Sequence, residues 1–312
     1  MVRVPHFVIV GSPRSGTTLV QRLASELPGV HVPPETHFFA KFVGGLARRR
    51  LFPLNRAETL EELREYETCS QLPLDAATVV ETLGGRCASP LQLFSAVVQT
   101  LAGGAAICGE KTPDHLFWWR PLARSLPQLR IVAVVRDPRA VVASTRKVPW
   151  GHHSQGVLAE QWRLNAHELT VLCASLPSDR RLLLRYEDVV RSPSDARRQI
   201  AQMLGVRDED ATELDTCAAS ALYQPHEWWK YRARGPVSDR WVDHWRTELT
   251  SEDVRDIESI CRLEMEHFGY DASSGPTEPT LSAVIEEHRQ LARTWRGWAK
   301  VEVADYERRF VD

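Results

Sequence analysis

The 312-residue sequence lacks the features that mark a membrane, metal-bound or disulfide-rich protein. It has no apolar run of about 18 residues, and the apolar stretch near its start is too short for a secretory signal, so we expect no transmembrane helix. The six cysteines are scattered, with no Cys-x-x-Cys pair and no cysteine and histidine cluster at zinc spacing. We therefore expect reduced thiols, no metal and a cytoplasmic location.

A strong excess of either charge is also missing. The formal net charge is -2 at pH 7, with 26% charged and 43% hydrophobic residues. A nearly neutral chain argues against general affinity for nucleic acids or membrane surfaces, so any anion-binding site must be local. The composition is that of an ordinary globular protein.

The first informative segment is GSPRSGTT, residues 11 to 18, which follows the apolar run HFVIV. Its two glycines have the spacing of a phosphate-binding P-loop between a strand and a helix, but Thr17 stands where the pattern requires lysine. Backbone amides of such a turn, together with a helix amino terminus, bind anions without a lysine. The predicted anion-binding residues of the loop are Arg14, Ser15, Gly16, Thr17 and Thr18.

The missing lysine also bears on the reaction. In enzymes that use ATP or GTP, the loop lysine contacts the β- and γ-phosphates and a serine or threonine holds Mg²⁺. Its replacement argues against nucleoside triphosphate chemistry. Two alternatives stay open, a P-loop phosphotransferase with Asp137 as a metal ligand and a non-catalytic nucleotide-binding protein. Asp137 is explained without a metal, as the cap of a helix that begins with Pro138.

Short apolar strands alternate with helical patterns along the chain, which is typical of a parallel sheet flanked by helices. Buried strands are predicted at 6–10, 105–109, 130–135 and 181–186. Polar residues follow each strand, and the carboxyl ends of parallel strands meet at one edge, so these residues should share one crevice. The predicted fold is an α/β, P-loop-like sheet in a single domain over 1–312.

Two further segments are expected to be helical. Residues 41–100 are predicted to form a helical insertion beside the crevice. Residues 280–312 have helical spacing and contain Trp295 and Trp298. That segment fits either an additional packing helix or a contact with a partner. Separately, a homodimer is expected as a possible assembly of the chain.

A second motif, RDPRAVVAST, directly follows the predicted strand at 130–135. Arg136 lies at the end of the strand and Ser144 lies eight residues further on. The two side chains are therefore predicted to bind one further phosphate. Arg139, between them, is predicted to lie on a solvated face.

Together these motifs resemble the cofactor signatures of sulfotransferases that use 3′-phosphoadenosine 5′-phosphosulfate (PAPS). The similarity extends in order over roughly residues 6 to 270. It includes PPETHF from residue 33, EKTPDH from 110, RYEDVV from 185 and PVSDRW from 236. Bacterial sulfotransferases and tyrosylprotein sulfotransferases are the nearest in pattern. The resemblance implies transfer of a sulfonate from PAPS to an acceptor hydroxyl, with adenosine 3′,5′-bisphosphate as the product.

The resemblance also implies which residues hold the nucleotide. They are Arg14 and its loop for the 5′-phosphosulfate, Arg136 and Ser144 for the 3′-phosphate, and Tyr186, Arg234 and Ser238 for further contacts. The family carries a basic residue immediately before the Pro-Val pair, where this chain has Gly235. Arg234 is the candidate substitute for that residue.

On the acceptor side, Glu35 matches the catalytic glutamate of tyrosylprotein sulfotransferases. His37 is the alternative base, because cytosolic sulfotransferases use a histidine and a histidine beside a crevice titrates near neutrality. Lys111 matches a family lysine near the transferred group, where it and Arg14 would stabilise charge on the bridging oxygen. The tyrosylprotein enzymes have arginine at the position of His37, which argues against peptide tyrosine as the acceptor. The acceptor is expected to be a small molecule, glycan or glycolipid.

Overall fold

The computed structural model describes residues 5–40, 52–152, 154–213, 219 and 221–273. The predicted extension at 280–312, the start of the predicted insertion and the side chain of Arg234 lie outside the described part. Within the described ranges, no helix combines the length and the hydrophobicity that a membrane span requires.

Five strands form one sheet, in the order β2-β3-β1-β4-β5. The strands are β1 (Phe7–Gly11), β2 (Val30–His31), β3 (Ile107–Lys111), β4 (Arg130–Val135) and β5 (Arg181–Arg185). Every neighbouring pair is parallel, which confirms the predicted α/β class. Because β1 is central, the loop that follows it opens at the middle of the carboxyl edge of the sheet.

The helices begin where local chemistry favours a start. They are α1 (Thr17–Ser25), α2 (Arg56–Ser70), α3 (Ala76–Thr82), α4 (Pro90–Leu101), α5 (Trp119–Ser125), α6 (Pro138–Thr145), α7 (Gln155–Ser175), α8 (Tyr186–Arg191), α9 (Pro193–Leu204) and α10 (Ser251–His267). Asn55 caps α2 in a capping box with Glu58, and proline is the first residue of α4, α6 and α9. Short 3-10 helices include Pro113–Trp118 and Trp228–Arg234.

The central strand sends alternate side chains into two cores, one on each face of the sheet. Val8 and Val10 belong to a cluster with residues of α4, α5, α7 and α10, whereas Phe7 and Ile9 pack with α1 and α9. All four side chains are completely buried. Burial on both faces explains why β1 is a continuous apolar run in the sequence.

Arg139 is buried, so its predicted place on a solvated face is wrong. Its guanidinium bonds Asp137 at 2.6 Å and Glu258 of α10 at 2.6 Å, and it lies 4.3 Å from the centre of the Trp245 ring. The partner Glu258 is distant in sequence, so the pattern around Arg139 gave no sign of burial. Asp137 caps α6 as predicted, accepting the Arg139 N–H at 2.8 Å. Both oxygens of Asp137 are engaged by Arg139, which argues against Asp137 as a metal ligand.

Candidate active site

A cavity of about 680 Å³ opens at the carboxyl edge of the sheet. Most of the predicted site residues line it: Arg14, Gly16, Thr17, Thr18, Glu35, His37, Arg136, Ser144, Tyr186 and Ser238. Ser15 and Lys111 are fully buried next to these residues. The fold therefore brings into one place residues that the sequence presents as separate motifs.

The loop between β1 and α1 is shaped to bind an anion. Helix α1 begins at Thr17, after Gly16 in the left-handed conformation, and no side chain caps its first turn. The first N–H groups of a helix have no acceptor within the helix and favour negative charge. The hydroxyl of Ser15 is buried and has no hydrogen-bond partner among the described residues. The loop thus fits a phosphosulfate group.

Glycine is required at position 16 because Tyr186 packs directly against it. A Cβ atom at Gly16 would lie 2.3 Å from the Tyr186 ring, and φ is 91°. The Arg136 guanidinium lies over the same ring, 4.2 Å from its centre. Tyr186 therefore packs against both the loop and Arg136.

Arg14 joins the two predicted phosphate sites. Its Nε donates to the hydroxyl of Ser144 and its Nη2 donates to the carbonyl of Trp229, both at 3.1 Å. Arg136 donates to the carbonyls of Arg14 and Trp241, also at 3.1 Å, and its buried Nε has no partner among the described residues. Burial and the neighbouring charge of Arg136 lower the pKa of Arg14 to about 10. Two arginines this close together attract a ligand with several negative charges.

Glu35 is at the centre of a cluster of ion pairs. Its Oε1 accepts from Nζ of Lys111 and from Nζ of Lys230, the latter at 2.5 Å, and its Oε2 lies 3.1 Å from Nε2 of His37. Burial alone would raise the pKa of Glu35, but the two lysines and His37 hold this pKa well below its ordinary value. Glu35 is therefore ionised at neutral pH.

Lys111 connects Glu35 with the anion-binding loop. It is completely buried at the end of β3, and its Nζ lies 3.4 Å from the hydroxyl of Thr18 in addition to contacting Glu35. Burial lowers the pKa of Lys111 to about 8, although the charge of Glu35 opposes this change. Lys111 is therefore close to losing its charge just above neutral pH.

We expect an alkaline limb near pH 8 in the profile of kcat/KM, because the pKa of Lys111 is about 8 in the unliganded protein. Below that pH the ammonium group is charged and would stabilise the transition state in the role predicted for Lys111, and above it the charge is lost. Lys111→Arg should move the limb to higher pH, because a guanidinium stays protonated in this range. A limb that is the same in Lys111→Arg as in wild type would assign the titration to another group.

The turn that carries Glu35 is held by a buried carboxylate beneath it. Glu110 of β3 accepts from the hydroxyl of Thr36 at 2.8 Å and pairs with Nδ1 of His115 at 2.8 Å. Tyr66 of α2 donates its hydroxyl to the carbonyl of Thr36 at 2.6 Å. These contacts give Glu35 a rigid support.

Two of the predicted site residues have a strained backbone. Arg14 and His37 have φ values of 69° and 47°, in the left-handed region that residues other than glycine rarely adopt. The N–H of His37 donates to the hydroxyl of Thr112 at 3.2 Å, and the carbonyl of Arg14 accepts from Arg136. Strain of this kind persists where the surrounding structure holds it, often at functional sites.

The sequence did not single out Glu227 and Lys230. Lys230 contacts both Glu35 and Glu227, and all three residues are buried. The Oε2 atom of Glu227 also accepts the N–H of Gln224 at 2.9 Å. The available signal was a pair of opposite charges three residues apart, on either side of two tryptophans. Residues three apart lie on one face of a 3-10 helix, which is the structure found here.

Exposed aromatic side chains line the cavity. Four large hydrophobic side chains are exposed among the described residues, and three of them, Trp150, Trp228 and Tyr231, belong to this cavity. Trp229 lies between the other tryptophans, with its ring centre 6.4 Å from that of Trp150 and 5.7 Å from that of Trp228. Such a concentration marks a binding surface.

Glu35, His37 and Glu227 place potential metal ligands within 4.8 Å of one another. The ammonium groups of Lys111 and Lys230 contact the same carboxylates, however, so a metal cation would have to displace them against their charge. The donor set therefore favours a cluster of ion pairs over a metal centre.

The parallel sheet, the uncapped helix after a glycine loop and the adjacent buried carboxylate define a P-loop-like enzyme that binds an anionic group. A family model described as "Sulfotransferase family" matches residues 5–210. The chain therefore belongs to the sulfotransferase family, and the sulfotransferase activity predicted from its motifs is confirmed.

Relatives with known names agree with this assignment. Protein-tyrosine sulfotransferase 2 of Gallus gallus is 26% identical over 302 residues, covering 92% of this chain and 76% of the relative. Carbohydrate sulfotransferase 3 of Tetronarce californica is 25% identical over 205 residues, covering 57% of this chain and 44% of the relative. The solved sulfotransferase domain of the Synechococcus PCC 7002 olefin synthase has the same fold. Its TM-score is 0.57 at 21% identity, covering 86% of this chain and 95% of that domain.

Proposed function

We propose that the protein transfers the sulfonate of PAPS to a hydroxyl of a small molecule, glycan or glycolipid. The observation that carries this proposal is the position of Lys111, which contacts Thr18 of the anion-binding loop and also Glu35. A sulfonate held by the loop and an acceptor hydroxyl held by Glu35 would both lie beside one ammonium group. That is the arrangement that direct transfer between the two requires.

The donor would be held by residues at the centre and on one side of the cavity. Arg14, the hydroxyl groups of the loop and the first turn of α1 would bind the 5′-phosphosulfate. Arg136 and Ser144 would bind the 3′-phosphate, and Tyr186 and Ser238 would contact the rest of the nucleotide. The unpartnered Ser15 hydroxyl and Arg136 Nε support this placement, because buried polar atoms without partners are costly unless a ligand satisfies them.

In the proposed step, Glu35 takes the proton of the acceptor hydroxyl. The new oxygen–sulfur bond forms as the bond from sulfur to the bridging oxygen breaks, and adenosine 3′,5′-bisphosphate leaves. Lys111 and Arg14 stabilise the negative charge that develops on the bridging oxygen. His37 is the alternative base. Its Nε2 lies 3.1 Å from Glu35, which would then orient the imidazole.

The aromatic side chains of the cavity support an acceptor with a flat apolar face. Sugar rings and planar small molecules have such a face and stack on tryptophan and tyrosine, while their hydroxyls stay available for reaction. The names of the relatives cover both protein tyrosine and carbohydrate acceptors. A tyrosine-containing peptide is therefore the necessary contrast in any test.

PAPS and adenosine 3′,5′-bisphosphate should raise the melting temperature by about 5 to 10 °C at a hundredfold excess over Kd. ATP with Mg²⁺ should raise it far less, because the loop has no lysine for the β- and γ-phosphates. Differential scanning fluorimetry measures both. Equal stabilisation by ATP with Mg²⁺ would favour the phosphotransferase alternative.

The acceptor is tested by incubating the protein with PAPS and a panel of oligosaccharides, glycolipids, simple phenols and a tyrosine-containing peptide. Mass spectrometry should detect one added sulfonate on a member of the first three groups. Modification of the peptide alone would keep sulfonate transfer and overturn the proposed acceptor. Binding of PAPS with no product from any acceptor would favour the non-catalytic alternative.

A further inference from the structure

Two lysines contact Glu35, but they are held differently. Lys111 has Glu35 as its carboxylate partner and lies beside Thr18 of the anion-binding loop. Lys230 bridges two carboxylates, Glu35 and Glu227, and all three of these side chains are more than nine-tenths buried. Lys230 would therefore keep a carboxylate partner even if its contact with Glu35 changed.

The two lysines also differ in how firmly they hold their protons. Burial lowers the pKa of Lys111 to about 8. Burial alone would lower the pKa of Lys230 as well, but the charges of Glu35 and Glu227 raise this pKa above its ordinary value. Lys230 is thus a permanent cation next to Glu35. Lys111 lies where a negatively charged donor would compete with Glu35 for its ammonium group.

We propose that Lys230, anchored by Glu227, is a positioning residue that fixes the orientation and charge of Glu35, while the ammonium group of Lys111 binds the donor. This inference rests on the proposed role of Glu35 as the base. It assigns Lys230 no contact with the reacting atoms. Its contribution acts through Glu35, because the ammonium group holds one carboxylate oxygen and leaves the other directed toward His37.

The 3-10 helix Trp228–Arg234 suits this role because it is fixed on the donor side. The carbonyl of Trp229 accepts from Arg14, and the N–H of Lys230 donates to the carbonyl of Glu227 at 2.9 Å. Side chains three apart share a face of such a helix, so Trp228 and Tyr231 lie together on the exposed face. Glu227 and Lys230 lie together on the face toward Glu35.

The charges around Glu35 set the expected effect of each substitution. The charged or titratable groups near it are Lys111 of β3, Lys230 and Glu227 of the 3-10 segment, His37 of its own turn, Asp114 of the 3-10 helix Pro113–Trp118, and Arg14 of the loop. Removing Lys230 takes away an adjacent positive charge, so the pKa of Glu35 must rise. Removing the charge of Glu227 leaves Lys230 beside Glu35, so the pKa of Glu35 does not rise.

Lys230→Met should therefore move the acid limb of the kcat profile up by about 1 to 3 pH units, the effect of losing one close opposite charge. The base must be deprotonated, so activity lost at low pH would be regained only at higher pH than in wild type. Turnover on the plateau should fall about tenfold or more, because Glu35 is less well placed. Affinity for the bisphosphate should stay within about twofold, and Lys230→Arg should restore part of the turnover.

Two matched variants distinguish the effect of the Lys230 charge from the effect of its anchoring by Glu227. Glu227→Gln should lower kcat without moving the acid limb upward, since Lys230 keeps its charge. Arg207→Met removes an exposed arginine that pairs with Asp210 and does not line the cavity, and it should leave the acid limb where wild type has it. An upward shift in Arg207→Met equal to that in Lys230→Met would overturn the proposal, because the effect would then be a general loss of positive charge.

A direct titration makes the result independent of turnover. Carbon-13 NMR of the glutamate carboxyl groups, recorded with the bisphosphate bound and assigned with Glu35→Gln, should show a higher pKa for Glu35 in Lys230→Met. An unchanged pKa would refute the role of Lys230 even if wild type transfers sulfonate normally. If wild type binds the bisphosphate but transfers nothing to any acceptor, the proposed function fails instead. If Lys230→Met does not fold, the same titration is made with Lys230→Gln and Glu227→Gln. The proposal then requires a higher pKa of Glu35 in Lys230→Gln and no rise in Glu227→Gln.

Discussion

Glu35→Gln should lower turnover by about 10² to 10⁴ and leave donor affinity nearly unchanged. Glutamine keeps the shape of the side chain but cannot accept the proton of the acceptor. The turn that carries residue 35 is held by the contact of Thr36 with Glu110, which the substitution does not touch, so the turn should stay in place although Lys111 loses its carboxylate partner. Calorimetry with the bisphosphate and turnover with a working acceptor measure the two quantities separately.

His37→Asn is the matched comparison, because His37 contacts the same carboxylate and is more exposed. It should cost much less turnover than Glu35→Gln. The pH profile adds a second criterion. The pKa of Glu35 is held well below its ordinary value, so a glutamate base leaves no ascending limb near neutrality, and a limb found there would point to a base other than Glu35. If Glu35→Gln keeps turnover within about threefold and His37→Asn is inactive with intact donor binding, the base is His37.

Arg136→Ala should weaken binding of adenosine 3′,5′-bisphosphate about ten- to a hundredfold more than binding of adenosine 5′-phosphate. A charge-assisted hydrogen bond to a phosphate contributes about 1.5 to 3 kcal/mol, which corresponds to that factor. Arg136 also holds the carbonyls of Arg14 and Trp241, so some loss for both nucleotides is expected from a looser loop. The difference between the two losses isolates the contact with the 3′-phosphate.

Isothermal titration with both nucleotides measures this difference. Arg146→Ala is the control, because Arg146 is an exposed arginine just after α6 that pairs with Asp253 at 3.6 Å. It should leave both affinities unchanged. Equal losses for the two nucleotides in Arg136→Ala would mean that Arg136 supports the loop and does not bind the 3′-phosphate.

The anion-binding loop could be predicted because its chemistry is local. A strand, a glycine turn and a helix start follow one another in the sequence, and Gly16 and Thr17 occupy the expected places. The strand that carries Lys111 shows the limit of such patterns. It was predicted at 105–109 and lies at Ile107–Lys111, so Lys111 ends a buried strand instead of following one.

The pairing of Glu35 with Lys230 could not be predicted, since 195 residues separate the two and only the fold brings them together. The segment that carries Lys230 is a 3-10 helix, so it shows neither the period of a strand nor that of an α-helix. The prediction of a solvated face for Arg139 was wrong for a related reason, because its burial depends on Glu258, which is distant in the sequence. The C-terminal extension, the homodimer and the cytoplasmic location stay predictions.

The hydrogen bond from Arg14 to the carbonyl of Trp229 has a consequence for how the two substrates bind. Arg14 belongs to the donor loop, whereas Trp229 lies in the helix that carries the exposed aromatic side chains. A donor that took over this guanidinium would release the carbonyl and change the freedom of that helix. By thermodynamic linkage, the factor by which the donor alters acceptor affinity equals the factor by which the acceptor alters donor affinity. The two binding sites would then be coupled equally in both directions through one backbone carbonyl, whichever substrate binds first.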